Sequence, residues 1–371
     1  MNGFDRAGRS LCMVTGLACA ALAACGGDSG SSAPAEETGS LKGGLEATIG
    51  PNGGQMVGLA GTSLDGLRLV IPPGALGADT KITITPTPSQ SAPALPSTAV
   101  RCGDDFAIAP AGLKLAMPAT LTLPFDEDAV TASDRFDDEV KVWVLGDSSD
   151  WAQQLQTDSS AGSVTVQMQT LTVAAAGVNP PAPTDVVHLT FDVNPKFASC
   201  LAQYPNDPNH APSVQADVVR GELNDGLFLR GKNIKPDLKF DLFTVQNSAL
   251  LANGTPDPSF TNFGLAWYQS DLEATNGGLM IATIRTILLD QIFGFDPAAN
   301  LPPTGTFEMG FWFNDPQDAV ACGFDATKPT PFNGEHDAGP LAMITTPDAT
   351  TGLGPLCTHP DTSVSPARCD P

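Results

Sequence analysis

Apolar and polar positions alternate along this chain in short runs, most of them only about four to eight residues long. Leu67-Arg68-Leu69-Val70-Ile71, Thr80-Lys81-Ile82-Thr83-Ile84 and Val142-Trp143-Val144 are rich in β-branched and aromatic residues. This is the signature of strands with one face in a core. The second half repeats the pattern over 186–193, 214–223, 228–231, 240–245, 263–272 and 307–313. Turn dipeptides punctuate the runs: Asn52-Gly53, Asp65-Gly66, Asp225-Gly226, Asn253-Gly254, Asn276-Gly277 and Asn333-Gly334 read as hairpin or bulge signals. One short segment, 284–293, carries Ile284, Leu288 and Ile292 at four-residue spacing and is the best helix candidate, although one helical turn between strands fits equally well. No long amphipathic helix and no internal repeat is apparent. The pattern predicts an all-β protein of two β-sandwich domains in tandem, divided at the Pro-rich stretch 178–184.

Composition sharpens that expectation. Gly (37) and Pro (33) are abundant in the 371 residues, which suits many strands joined by tight turns. Hydrophobic residues make up 42% of the chain, enough for two cores. A formal charge of −23 repels phosphate backbones and excludes a nucleic-acid partner.

Residues 1–24 read as a secretory signal. Arg6 and Arg9 precede a mainly apolar stretch from Leu11 to Ala24. That stretch is shorter than the roughly 20 residues of a membrane-spanning helix. The segment ends Leu22-Ala23-Ala24-Cys25, which resembles the bacterial lipobox. That resemblance implies lipidation of the Cys25 thiol and cleavage before it, giving a membrane anchor through lipid. Several acyl chains at about 0.8 kcal/mol per buried methylene hold a protein stably where one would be marginal. Gly26 follows the cysteine, where an Asp would resemble an inner-membrane retention signal, so the expected location is the cell outer membrane. Residues 25–42 are Gly/Ser- and then Pro/Ala/Glu-rich and read as a flexible tether. Its Gly27-Asp28-Ser29-Gly30 matches the tetrapeptide around a trypsin-like nucleophile, but no histidine precedes His188 to activate it.

Within 43–177, Gly53-Gly54-Gln55-Met56-Val57, Ile71-Pro72-Pro73-Gly74-Ala75-Leu76, Phe106-Ala107-Ile108-Ala109-Pro110 and Pro118–Pro124 together resemble the ZU-five domain, the zonula-occludens and netrin-receptor module. Pro72-Pro73 ends a strand because neither residue can donate to a ladder. The resemblance implies a β-sandwich and non-catalytic contact with other proteins. Some members cleave themselves at a His-Phe-Ser triplet. Thr170-Leu171-Thr172 stands there, lacking both the base and the nucleophile, so no self-cleavage is expected. Residues 185–371 are β-rich with an irregular tail. Val218–Leu223 followed by Gly226–Leu229 is weakly similar to chordin-type (CHRD) domains, whose His-x-His feature is missing here.

Five cysteines follow the anchor. In an exported chain Cys200, Cys322, Cys357 and Cys369 are candidate disulfide partners, paired as Cys200–Cys322 and Cys357–Cys369, with Cys102 left as a buried or free thiol. Glu335, His336 and Asp337 set carboxylates on both sides of an imidazole, and with Asp315, or with Asp207 and His210, form a candidate metal site. Adjacent residues of an extended segment face opposite ways, which favours a hydrogen-bonded turn instead. The acidic stretch 126–139 could offer calcium its oxygens, but no Asp-x-Asp-x-Asp-Gly loop is present and a solvated loop is the simpler reading. Phe311-Trp312-Phe313 and Leu265–Gln269 read as core strands rather than a sugar platform. No P-loop, nucleophile elbow or dinucleotide glycine pattern occurs. The expectation is a lipid-anchored envelope protein without catalysis or required cofactor, contacting a protein or glycan partner. The alternatives are an exported metal-dependent hydrolase and a calcium-stabilised carbohydrate-binding module in the second domain.

Overall fold

A computed structural model describes residues 36–38, 43–88, 93–96, 98–146, 150–155, 157–221, 223–290, 304–328 and 337–370. Cys25, the Gly27–Gly30 tetrapeptide, Ile292, the turn signal Asn333-Gly334, and Glu335 and His336 lie outside the described residues. Among those described, no helix is long and apolar enough to cross a membrane.

The first unit is built from β1 (Glu36–Thr38), β2 (Leu45–Ile49), β3 (Gly54–Val57), β4 (Arg68–Ile71), β5 (Thr80–Thr87), β6 (Val100–Ala109), β7 (Lys114–Pro124), β8 (Lys141–Leu145), β9 (Trp151–Gln153), β10 (Thr157–Ser160), β11 (Ser163–Thr170) and β12 (Val173–Val178). They form two six-stranded sheets, β1-β3-β4-β7-β11-β10 and β2-β5-β6-β12-β8-β9. Strand alternation places the core. On β2, Leu45, Ala47 and Ile49 are buried while Glu46 and Thr48 face solvent. They meet Leu69, Ile71, Ile82, Ile84, Phe106 and Leu121 in one apolar cluster. Each such large apolar side chain contributes about 1.5–3 kcal/mol through its burial. The Asn52-Gly53 signal is a true turn, and Gly53 has a φ of +74°. Glycine is needed there because a Cβ would stand 2.5 Å from the Ile71 carbonyl oxygen. Cys102 is fully buried in the same core, and burial pushes its thiol up to about 11.

The second unit contains β13 (Val186–Val193), β14 (Ser213–Val219), β15 (Asp225–Lys232), β16 (Lys239–Val245), β17 (Ala266–Glu273), β18 (Met280–Thr286), β19 (Glu308–Phe313) and β20 (Leu341–Ile344). They make a single eight-stranded sheet, β17-β16-β19-β20-β13-β14-β15-β18, so curled that its edges nearly meet. Ala274 and Met280 bridge the seam, and the Thr286 hydroxyl donates to Gln269 Oε1 at 3.1 Å. The all-β class therefore holds throughout. Leu189, Phe191, Leu227, Phe240, Met309 and Phe311 fill the inside. Trp312 points the other way, into a small outer core with Val245, Leu250 and Ile344. Cys200 bonds Cys322, and Cys357 bonds Cys369, at Cα separations of 6.2 and 5.7 Å.

Three local expectations are corrected. The four-residue spacing of Ile284 and Leu288 is not helical. Ile284 lies in β18, whose alternation places Met280, Ala282 and Ile284 on one face, and four is also an even strand spacing. Asp225-Gly226 is not a turn but the start of β15. Trp267 and Tyr268 are not core residues: they are 45% and 55% exposed. The reason is that β17 borders the seam, and its pairing with β16 is bulged close to these residues.

A junction built from the acidic segment

The acidic stretch of the first unit forms a structured lobe. Asp126 caps α1 (Glu127–Ala132), accepting from the backbone N–H of Asp128 at 2.9 Å, and Val130 anchors the helix in the core. Past the helix, Asp134 takes a left-handed backbone (φ 53°), and Glu139 Oε2 accepts from the Phe136 N–H at 2.8 Å. The lobe thus presents Asp134, Phe136 and Asp138 to the second unit.

The receiving surface is the outer face of β13, β14, β15 and β18. Because Leu227 and Leu229 point into the core, Phe228 and Arg230 of β15 must point out. Register sets Gly226 beside Arg285 and Phe228 beside Thr283. Arg230 Nη2 donates to Asp134 Oδ1 and to the Thr131 carbonyl, both at 2.6 Å. Arg285 holds Asp138 with a two-pronged contact at 2.8 and 2.6 Å, a geometry that adds direction as well as attraction. The Arg285 guanidinium, hydrogen-bonded to Asp138, holds that carboxyl below the usual carboxylate range, against the opposing effect of partial burial. The same guanidinium lies 4.0 Å over the Phe136 ring, which rests on Phe228 at 4.9 Å. Gly226 makes this possible, since a Cβ there would meet the Phe136 ring at 2.9 Å.

Clefts flank the contact. One of about 320 Å³ is lined by Arg135, Phe136, Glu139, Arg220, Gly226 and Arg285. Another of about 590 Å³ lies between α1, the Pro180–Pro183 linker and His188. His188 Nδ1 is 2.5 Å from Asp217, whose other oxygen accepts from Arg230 at 3.1 Å, so a polar chain runs from that cleft to Asp134. The linker is tied in by Arg135 Nε donating to the Asn179 carbonyl at 2.7 Å.

The remaining sites expected from the sequence are scattered. Asp337 is exposed. Asp315 caps the 3₁₀ turn that begins at Pro316, and Asp207 pairs locally with His210 at 2.7 Å. Thr170-Leu171-Thr172 is a plain corner in which the Thr172 hydroxyl donates to the Leu145 carbonyl. Among the described residues one trio of metal-ligating types converges, Asp290 with Cys357 and Cys369, but the two sulfurs are bonded to each other. Asp290 is a structural hub. Burial favours its neutral form, yet donation from Thr358, Arg220 and His359 outweighs this and holds it ionised below its ordinary range. A second buried carboxyl, Glu308, lies under the outer core with one partner among the described residues, the Thr345 hydroxyl at 2.5 Å. Burial pushes it up to about 8.

The junction was hidden from sequence reading because its acids resemble a solvated loop, while the arginines that clasp Asp134 and Asp138 lie 96 and 147 positions away. A faint signal existed in Phe136, an aromatic residue amid charge. No curated protein matches the chain. Residues 45–137, which run from β2 to just past Phe136 in the lobe, match the family model of the ZU5 domain, so the chain carries a ZU5-type domain in its first unit.

Proposed function

We propose that this protein is held by lipid on Cys25 to the cell envelope, at the outer membrane, and works there without catalysis as an interaction or scaffolding module. The observation that carries the reading is the ZU5 match, a domain type that mediates protein–protein contact. Its lobe is already occupied in cis by the second unit, so a protein or glycan partner meets the two units together rather than the ZU5-type domain alone. The lipobox-like Leu22–Cys25 supports the anchor, and the low count of basic residues supports a partner other than nucleic acid. Intact mass of membrane-extracted protein tests the anchor: residues 25–371 plus acyl chains is expected, and an unlipidated mass, or one unchanged by Cys25→Ser, refutes it. Cross-linking on cells followed by identification of captured proteins tests the interaction role. Capture that is the same for the native chain and for one lacking residues 43–177 would refute a part for the ZU5-type domain.

A further inference from the structure

Two half-buried cysteines and a buried carboxylate meet at the C-terminal corner of the second unit. An oxygen of Asp290 and the sulfurs of Cys357 and Cys369 all lie within 4.8 Å of one another. The two oxygens of Asp290 are used differently. Oδ2 takes Arg220 at 2.7 Å, the Thr358 hydroxyl at 2.6 Å and His359 Nδ1 at 3.1 Å. Oδ1 takes one N–H among the described residues, that of Thr358 at 2.6 Å, and otherwise faces Cys369 Sγ at 3.4 Å. A disulfide sulfur has no proton to donate, so this oxygen is aimed at an atom that gives it nothing while the bond is intact. The corner is shaped by more than its disulfide. Pro360–Asp361 and Arg368–Cys369 pair as two-residue strands, the Asp370 N–H donates to the His359 carbonyl at 2.8 Å, and Arg368 Nε donates to Asp361 Oδ2 at 3.2 Å. Reduction therefore leaves both sulfurs beside the carboxylate. The other bridge differs, since among the described residues no carboxylate or imidazole joins Cys200 and Cys322 in such a group.

We propose that, once reduced, Cys357 and Cys369 bind Zn²⁺ together with Asp290 Oδ1, so that this corner holds either a disulfide or a metal ion. A dithiol reductant supplies two electrons and two protons: the Cys357–Cys369 bond breaks, two thiols form, and the reductant closes to its own disulfide. Metal binding then releases both thiol protons to water. Two thiolates and a carboxylate are donors that zinc takes, with water in the fourth position. On one tetrahedral zinc, sulfurs at about 2.3 Å stand about 3.8 Å apart. Side chains whose Cα atoms are 5.7 Å apart reach that separation by rotation. Charge also balances: three anionic ligands exceed Zn²⁺ by one, and the Arg220 guanidinium on Oδ2 offsets it. Arg220, Thr358 and His359 then act as outer partners that fix the carboxylate. The inference goes beyond the interaction role and stands on this corner alone, so partner capture and metal uptake succeed or fail separately.

The test is anaerobic cobalt(II) titration of the full chain after treatment with a water-soluble phosphine, which takes oxygen from water to become its oxide as the thiols form. One equivalent of cobalt is expected to give the intense visible bands of a tetrahedral thiolate-bound ion, and zinc should erase them. The untreated chain should give none. Cys357→Ser/Cys369→Ser, treated in the same way, should also give none although its other cysteines remain. Zinc should raise the melting temperature of the reduced native chain and leave that of the serine variant unchanged. Asp290→Asn should weaken uptake at least about tenfold. Asp290 also braces the corner, so if its variant fails to fold, the serine pair and the melting shift decide. Equal bands in the native and serine-variant chains would place the metal on other cysteines and overturn the proposal. An absence of bands, undiminished uptake by a folded Asp290→Asn chain, or a reduced chain that stays unfolded with zinc present would overturn it as well.

Discussion

Replacing Glu308 with Gln tests whether a carboxyl is stored neutral beneath the outer core. Glu308 starts β19, pairs with Val245 of β16, and has the Thr345 hydroxyl as its partner among the described residues. β16 brings Val245 beside it and the residue after β20 brings the Thr345 hydroxyl, and no ion pair to it occurs among the described residues. Burial raises its folded value to about 8, against 4.5 for a free glutamate. The sign follows from proton counting. Between pH 4.5 and 8 the folded chain keeps a proton that the unfolded chain has lost, so stability falls as pH rises. The slope is about 1.4 kcal/mol per pH unit, and the full span is worth on the order of 5 kcal/mol. Below the window both states are protonated, and above it both are ionised, so the difference is flat on each side. Urea unfolding at each pH from 4 to 9, read for the native chain and for Glu308→Gln, isolates the group, since other titrations cancel in the comparison. The advantage of the variant should grow through the window and level off near pH 8. A difference independent of pH would refute the reasoning, because it would mean that the carboxyl is ionised in the fold.

Arg285→Ala should loosen the junction by on the order of 1–2 kcal/mol, combining the ring contact with a largely exposed ion pair that is worth little alone. A double-mutant cycle with Asp138→Asn separates the two contributions, and a coupling of zero would remove the ion pair from the account. Because the Asp138 value is lowered in the fold, its contribution is present above pH 3.8 and is lost as pH falls below that. Gly226→Ala should displace Phe136 and raise proteolysis of the 126–139 lobe, whereas unchanged digestion would place the ring elsewhere. Breaking Cys200–Cys322, which spans 122 residues, should cost about 3–5 kcal/mol. Breaking the 12-residue Cys357–Cys369 link should cost about 2–3 kcal/mol, and melting with each pair changed to serine measures both. Cys102, fully buried and with its thiol raised to about 11, should resist thiol reagents at mildly alkaline pH until urea is added. Rapid labelling of the native chain would contradict that burial.

How much of this was readable depended on whether a physical signal was local. The alternation in Leu45-Glu46-Ala47-Thr48-Ile49 and in Ser163–Thr170 belongs to strands with one wet face, and there pattern and structure coincide. The runs Leu341–Ile344 and Glu308–Phe313 are buried on both faces and carry no such alternation. Asp225-Gly226 shows the limit most clearly. The dipeptide favours a turn, but the glycine is there because the Phe136 ring, from far earlier in the chain, needs the space. The junction could not be read for the same reason, since every contact between its two halves is distant in sequence. The edge of β17 misled differently: Trp267 and Tyr268 have core chemistry but stand where the curled sheet leaves them half open.

The order in which the chain is made bears on the lobe. Synthesised N-terminus first, the ZU5-type unit is complete before Arg230 and Arg285 exist, 96 and 147 positions beyond the acids that they clasp. Until they arrive, Phe136 is an uncovered ring amid carboxylates, an early half-site waiting for its other half. A lesion confined to the second unit would therefore leave the first one folded yet undocked, with that ring open to quality-control proteases. Steady-state abundance would then report the health of a surface that neither unit owns alone.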